Sequence, residues 1–396
     1  MQYILCIHQK NSRKRVSSVI NNSTALIKVC HVTSVHPRYD PRIFHKECKS
    51  LASSGYDVTL IVNDNLPNES IDGVKILSTQ EEPRNRFERM VRSKKNIKAL
   101  MLEVDADIYH FHDPELLPEA SWLKKKGKIV IFDSHEDVSQ QILFKGWIPR
   151  CLRKPISSLY KIYEQSKIKN LDALISVTPK VVERLKEINP NTIMITNYPI
   201  LNAESSVSEP HKKKRAICFA GGIVSDWNHE NIIRAIESIE DIEYILAGKG
   251  SDEYLDKLSS LQGWGKVRFL GRISHEEVKK DVYSEAMIGM AVLTNDSQTG
   301  DEGTLGNTKI FEFMEASIPV ICSNNKIWKN IVDKYALGMC VDPKDADAIH
   351  DAIIILLDNP DQARQMGENG RRAVEVEYNW ETQERVLLEA YKSLSI

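Results

Sequence analysis

The chain has 396 residues and a mass of 45.1 kDa, too long for one ordinary compact domain and suited to two. With 42% hydrophobic, 27% charged and 7% aromatic residues and a mean hydropathy of -0.34, its composition excludes a disordered, collagenous or disulfide-stapled chain, and no apolar window is long enough for a membrane span. The net charge of -2 hides an asymmetry: residues 1–205 hold 31 Lys+Arg against 23 Asp+Glu, net +8, while residues 206–396 hold 22 against 32, net -10. The first half is therefore expected to face something anionic, with solvated helix faces as the plainer alternative.

Residues 1–26 place a basic cluster after a brief apolar run, the reverse of a secretory signal, so the chain is expected to stay in the cytoplasm. The seven cysteines (Cys6, Cys30, Cys48, Cys151, Cys218, Cys322 and Cys340) are scattered without a CxxC pair and read as reduced. From Ile27 the pattern alternates. IKVCHVTSV reads as a buried strand, HPRYDPR as a polar loop, IFHKECKSLASSG as a helix with a glycine stop, and YDVTLIVND as a second strand. This β-loop-α-β unit belongs to a parallel sheet covered by helices. The strands DIYHFHD, KIVIFDSHE, LDALISV and TIMITNYP continue the series, with helices over ELLPEASWLKKKG, near residues 149–170 and over TPKVVERLKEIN between them.

The polar stretch 202–214 reads as a linker. A second series begins after it: strands RAICFAGGI, IEYILAGKG, KVRFLGRI, MIGMAVLTN and IPVICSN alternate with helices, and three helices close the chain. The expected organisation is an amino-terminal extension (1–26), a first α/β domain (27–201), the linker (202–214) and a second α/β domain (215–396) whose last helix packs on the second domain or crosses back to the first. Two doubly wound, Rossmann-like domains would face each other across a cleft at the carboxyl ends of their strands, where open α/β sheets bind ligands.

Candidate chemistry therefore lies in the loops that follow strands. In the loop Ser34–Arg42, His36, Arg38, Asp40 and Arg42 stand before a helix amino terminus, a place for an anion or simply for helix capping. YHFHDPE contributes His110, His112, Asp113 and Glu115, and FDSHED contributes Asp133, His135, Glu136 and Asp137. Adjacent strands would bring both groups to one rim, where three readings stand: a metal site, a set of buried and satisfied histidines, and, as the reading preferred here, a polar wall for hydroxyl groups with one histidine beside the reacting atoms.

Three glycine turns follow strands in the second half: Ala220-Gly221-Gly222, Gly248-Lys249-Gly250, and Gly303-Thr304-Leu305-Gly306-Asn307, the last running into TKIFEFMEAS with Lys309 near its start. They permit close backbone approach and offer amide donors to a diphosphate. None is GxGxxG, and GxxxxGK[ST] is absent, which disfavours an NAD enzyme or a P-loop NTPase. Glu312 and Glu315 share one face of the last helix; the plain reading is an exposed ion-pairing couple, the functional one a carboxylate that recognises a ribose diol.

Taken together, DPRIFHKECKSLASSGYDVTLI, YHFHDPELLP, FDSHED, FAGGI, LAGKG, VRFLGRIS and KIFEFMEASIPVICS resemble, in order, the retaining glycosyltransferases of the GT-B fold, in the large family-four group that includes bacterial O-antigen and capsule sugar transferases. The resemblance spans residue 27 to the end. It implies a cytoplasmic enzyme, peripheral on the inner membrane face, that moves a hexose from a UDP- or GDP-sugar to a lipid-linked saccharide, with no nucleic acid, no metal and no cofactor. It implies that Glu312 is the second glutamate of an E-x7-E motif and binds the ribose, that Leu305, Gly306 and Asn307 hold donor sugar and phosphates, that His135 lies beside the transferred sugar, and that His36, Arg38, Asp40, Arg42, His112 and Asp113 line the acceptor side. Two departures stand out: Thr304 occupies the first glutamate position, and Gly222 and Trp227 stand where an Arg/Lys pair would neutralise the diphosphate, leaving Lys309, Arg272, Lys249 or the glycine turns at Gly221 and Gly222 to do so. Alternatives on the same fold are a nucleotide-sugar epimerase, a phosphorylase (for which no phosphate-site or pyridoxal lysine motif is seen) and a catalytically silent nucleotide-sugar-binding subunit.

Overall fold

The computed structural model describes residues 26–81, 93–135, 137–201, 214–294 and 300–394. The extension up to residue 25, the linker residues 202–213 and Glu136 lie outside the described residues. The first sheet contains β1 (Lys28–Val32), β2 (Asp57–Val62), β3 (Glu69–Ile71), β4 (Val74–Ser78), β5 (Ile108–Phe111), β6 (Ile129–Ser134), β7 (Ala173–Ser176) and β8 (Thr192–Met194), in the order β3-β4-β2-β1-β5-β6-β7-β8. Every neighbouring pair is parallel except β3 with β4. The second sheet is wholly parallel: β9 (Ala216–Ile223), β10 (Glu243–Gly250), β11 (Val267–Gly271), β12 (Ile288–Ala291), β13 (Val320–Ser323) and β14 (Gly338–Val341), in the order β11-β10-β9-β12-β13-β14. Both sheets are doubly wound, as the alternation of strands and helices implied.

Parallel strands are covered on both faces, so they read as unbroken apolar runs. Along β1, Val29 packs into one core of the first domain and Cys30 into the core on the opposite face. The antiparallel β3–β4 hairpin escaped the sequence reading because β3 is short and mostly exposed. Its signal was present nonetheless: Asp72-Gly73 forms the two-residue turn, with φ of 51° and 78°, the left-handed pair that Asp-Gly supplies. Helix Lys326–Tyr335 and β14 are likewise additional to the sequence reading.

Two of the expected glycine turns are strand ends. Gly221 and Gly222 lie inside β9, Gly248 to Gly250 inside β10, and Gly248 pairs with Gly221. A Cβ on Gly248, at φ +143°, would fall 1.7 Å from the Gly221 carbonyl oxygen, so the two backbones approach to a distance only glycine allows.

Helices Ala346–Asp358 and Pro360–Val376 pack on the second sheet. The closing helix, Trp380–Leu394, crosses to the first, burying Trp380, Leu387 and Tyr391 against Val29, Ile43 and Ile108. Its start is pinned there: the Trp380 indole donates to Ser50 Oγ (2.9 Å) and the Trp380 amide to the Pro199 carbonyl (2.8 Å).

Candidate active site

In each sheet the strand order reverses once, between β1 and β5 and between β9 and β12, and loops leaving the carboxyl ends of those strands diverge to form a crevice. The two crevices meet where the Gly303–Asn307 loop approaches the loop after β7: a Cβ on Gly306 would lie 3.2 Å from Val177 Cγ2 and 3.9 Å from Thr178 Cγ2.

On the second domain, a cavity of about 370 Å³ opens at the ends of β9, β10 and β11. Its lining includes Gly221, Gly222, Lys249, Arg272, Lys309 and Glu312, six of the residues singled out from sequence, together with Ile273, His275 and Val278, which were not. Lys249 and Arg272 are exposed to the cavity's solvent. Glu312 is anchored tightly: Tyr283 Oη donates to Oε2 (2.7 Å), Thr308 Oγ1 to Oε1 (2.6 Å), and Lys309 Nζ reaches both oxygens at 2.8 and 2.7 Å. Burial raises its pKa, but Lys309, Thr308 and Tyr283 outweigh that and leave the carboxyl below the ordinary glutamate value. Glu315, one turn on, is buried and paired with Lys279 at 2.8 Å, away from the cavity lining. Tyr283 was missed because only the fold brings its hydroxyl to Glu312, 29 residues away.

Thr304 to Asn307 do not line this cavity. They are held at the junction with the first domain: the Gly306 amide donates to Thr304 Oγ1 (2.9 Å), the Trp328 indole to the Thr304 carbonyl (2.9 Å), and the Leu305 side chain is buried in the second-domain core. Trp227 is also a core residue, 4.9 Å between ring centroids from Phe219.

On the first domain, the residues assigned to the acceptor side divide sharply between side chains held by protein partners and side chains that reach the cleft. Arg38 is buried and clamps Asp64 through Nε and a terminal nitrogen (2.9 and 2.8 Å), with Glu69 and the Pro67 carbonyl as further partners. Arg42 is buried between Asp133 (Nε to Oδ2, 2.9 Å), Glu47 (Nε to Oε1, 3.0 Å) and the Ile195 carbonyl (3.0 Å). Neither guanidinium is open to an acceptor, because a short polar loop threaded over a sheet must satisfy its charges internally. Asp40 caps the following helix, its Oδ1 accepting from the amides of Arg42 (2.8 Å) and Ile43 (2.9 Å), so that helix start is not an open anion site. Asp113 is spent on Thr33 Oγ1 (2.8 Å) and the Ser34 amide (2.7 Å), and His112 is wholly enclosed.

What reaches the cleft is a histidine pair. His36 and His135 have side chains 28% and 19% exposed, with ring centroids 5.0 Å apart. Burial pulls the His135 pKa down to about 3, against the Asp133 carboxylate 3.3 Å away, so the ring is neutral. Burial also lowers His36, yet its bond to Asp40 (3.1 Å) and the charge of Asp113 prevail and raise it. The cleft thus holds one neutral and one readily protonated imidazole side by side. Two groups of metal-type ligands occur among the described residues, His112/Asp133/His135 at the cleft and His31/Glu47/His110/His112 behind it. At the first, Arg42 already neutralises Asp133 Oδ2.

Residues 42–197 match the domain model described as Glycosyltransferase Family 4, and residues 202–373 match Glycosyl transferases group 1. By family, the chain is a glycosyltransferase. A stretch of 163 residues, 40% of this glycosyltransferase, is 26% identical to the GDP-mannose-dependent monoacylated alpha-(1-6)-phosphatidylinositol monomannoside mannosyltransferase of Corynebacterium glutamicum and spans 42% of that relative's length. Among solved structures, sucrose-phosphate synthase from Thermosynechococcus elongatus superposes with a TM-score of 0.71 at 18% identity, covering 93% of this chain and 99% of that one. HepE of Anabaena, in complex with UDP and glucose, superposes at 0.68 and 12% identity over 93% of this chain and 100% of its own. At these identities the likeness establishes the GT-B fold.

Proposed function

We propose that this glycosyltransferase moves a hexose or modified hexose, with retention, from a UDP- or GDP-sugar to a lipid-linked saccharide during surface polysaccharide assembly. The observation that carries the reading is the second-domain cavity, about 370 Å³, in which cations, close-packed glycine backbone and one anchored carboxylate converge. Lys249 and Arg272 receive the diphosphate, whose growing negative charge they stabilise as the sugar departs. Glu312 accepts hydrogen bonds from the ribose diol, and Lys309, now its ion-pair partner, turns toward the phosphates. Across the cleft, neutral His135 positions a sugar hydroxyl, and the acceptor hydroxyl attacks the anomeric carbon on the face from which the diphosphate leaves, its proton passing to a phosphate oxygen as the anomeric C–O bond breaks, which conserves the anomeric configuration. No divalent cation is required at the phosphates.

A lipid-linked acceptor is supported by three things: the Corynebacterium relative's name places its acceptor on phosphatidylinositol, residues 1–205 carry net +8, and the helix Arg150–Ile168 exposes apolar side chains. Among the described residues no helix is long and apolar enough to cross a membrane, so contact would be peripheral. Incubation of the pure protein with labelled UDP- and GDP-sugars, without acceptor and then with lipid-linked saccharides, tests the reading. Transfer only in the presence of the lipid-linked acceptor supports it. Tight donor binding without transfer under either condition supports instead the silent subunit that Thr304 and Trp227 suggest.

A further inference from the structure

Behind the cleft the first sheet encloses a second cluster that the transferase chemistry does not use. His31 on β1 and His110 on β5 are register partners, and His112, two residues on, points to the same face. Glu47 rises toward them from the π-helical turn Ile43–Cys48. All four side chains have no solvent exposure. Glu47 Oε2 lies 3.9 Å from His31 Nδ1, 4.0 Å from His110 Nδ1 and 3.9 Å from His112 Nε2.

Buried polar atoms are ordinarily hydrogen-bonded, since an unmet carboxylate oxygen costs several kcal/mol. Here both Glu47 oxygens and His110 Nε2 lack a hydrogen bond, although Arg42 Nε stands 3.0 Å from Oε1. Oε2 is the oxygen that faces the three imidazoles. Four ligand-type atoms lie within 4.8 Å of one another; His31 Nδ1 and His112 Nε2 now share a hydrogen bond at 2.9 Å, and exchanging it for an ion while Glu47 Oε2 closes in would set the four at the ~2.0–2.2 Å of zinc–imidazole and zinc–carboxylate bonds.

The outer contacts of two of the three imidazoles, His31 and His112, also fit a metal centre, whereas His110 Nε2 has no hydrogen-bond partner. Metal-bound imidazoles are typically held by a partner on the opposite nitrogen. His31 Nε2 faces the Tyr391 hydroxyl at 3.2 Å, and His112 Nδ1 faces His135 Nε2 at 3.2 Å and Asp133 Oδ2 at 3.7 Å. Arg42 orients Glu47 and offsets its charge. We propose that His31, His110, His112 and Glu47 bind one divalent ion of the zinc class, closed off from water and structural in role. His110 Nδ1, 2.8 Å from Tyr391 Oη, exchanges that hydrogen bond for the ion. Coordination through His112 Nε2 leaves its proton on Nδ1, directed at Asp133 and His135, so the ion fixes the orientation of the cleft histidine. Tyr391 belongs to the closing helix, and the ion therefore also secures the seat of that helix on the first sheet. The inference stands apart from the choice of donor or acceptor.

Tag-free protein from zinc-supplemented and from cobalt-supplemented medium, desalted and assayed by elemental analysis and visible spectroscopy, tests it. One retained equivalent per chain is expected, with the strong visible bands of four-coordinate cobalt in the cobalt form. Glu47→Gln and His31→Gln should lose most of the ion, whereas His45→Gln, which alters an exposed neighbouring histidine, should keep it. Wild-type protein that carries no ion from either medium overturns the proposal, and this readout does not depend on whether any variant folds. So does an ion that Glu47→Gln, folded by circular dichroism, retains in full.

Discussion

Lys309 and Glu312 neutralise one another in the lining of the second-domain cavity, so on the proposed donor reading Lys249 and Arg272 are the charges most directly offered to an incoming diphosphate. On that reading the arrangement would compensate for Gly222 and Trp227. It also implies that excess EDTA, added minutes before assay so that only ions exchangeable at the cleft are removed, leaves turnover unchanged; loss of activity restored by magnesium or manganese would contradict it. The His36 imidazole makes a separate, pH-dependent contribution. Its folded pKa is raised above the ordinary 6.5, so the stabilisation it draws from Asp40 and Asp113 is present in full below pH 6.5 and is lost as pH rises through the raised folded value. Thermal melts of wild type and His36→Gln should therefore differ most at the acid end and converge on the alkaline side. A gap that widens with pH would reverse the assignment. None of this was legible in the loop sequence itself: whether Arg38 and Arg42 meet ligand or protein depends on Asp64 and Asp133, 26 and 91 residues away, and only the folded sheet brings them together.

Among the elements, Arg150–Ile168 bears most on location. Leu159 and Ile162 are each 66% exposed, Leu152 is 48% exposed, and Trp147 just before the helix is 73% exposed, with Arg150, Lys154 and Lys161 interspersed. A face that mixes large apolar and basic side chains suits the interface of an anionic bilayer, where each basic residue near the surface adds about 1 kcal/mol. Flotation should recover the protein with anionic vesicles, less so in high salt, and Trp147→Ser with Leu159→Ser should reduce recovery. Equal recovery on neutral and anionic lipid, unaffected by salt, would leave the charge asymmetry without a membrane meaning. The basic character of this helix was legible in sequence. Its unpartnered apolar row was not, because periodicity shows that a stripe exists and cannot show which stripe the sheet covers. The same asymmetry governs strands: the long buried ones were readable as continuous apolar runs, whereas the short β3–β4 edge hairpin announced itself only through Asp72-Gly73.

At the scale of the whole molecule, the chain crosses between domains twice, after β8 and before the closing helix, and Trp380 fixes the second crossing. Trp380→Ala removes a buried indole from the first-domain core and should cost roughly 3–5 kcal/mol, read as a lower melting temperature. A melt unchanged from wild type would mean that the crossing helix adds nothing to the fold. The proposed function divides the tasks between the domains: nucleotide affinity in the second and positioning at the reacting sugar in the first. On that division, His135→Ala lowers kcat on the order of 10²-fold without weakening the nucleotide. Glu312→Ala loses the ribose contact and about 10- to 100-fold in affinity, while Glu315→Ala, whose carboxylate is paired with Lys279 outside the cavity, changes it little. Calorimetric titration of UDP and GDP into these three variants and the wild type, each shown to be folded by its melt, tests the division most directly. The account predicts weakened binding for Glu312→Ala alone; weakened binding for His135→Ala or Glu315→Ala with Glu312→Ala intact would contradict it.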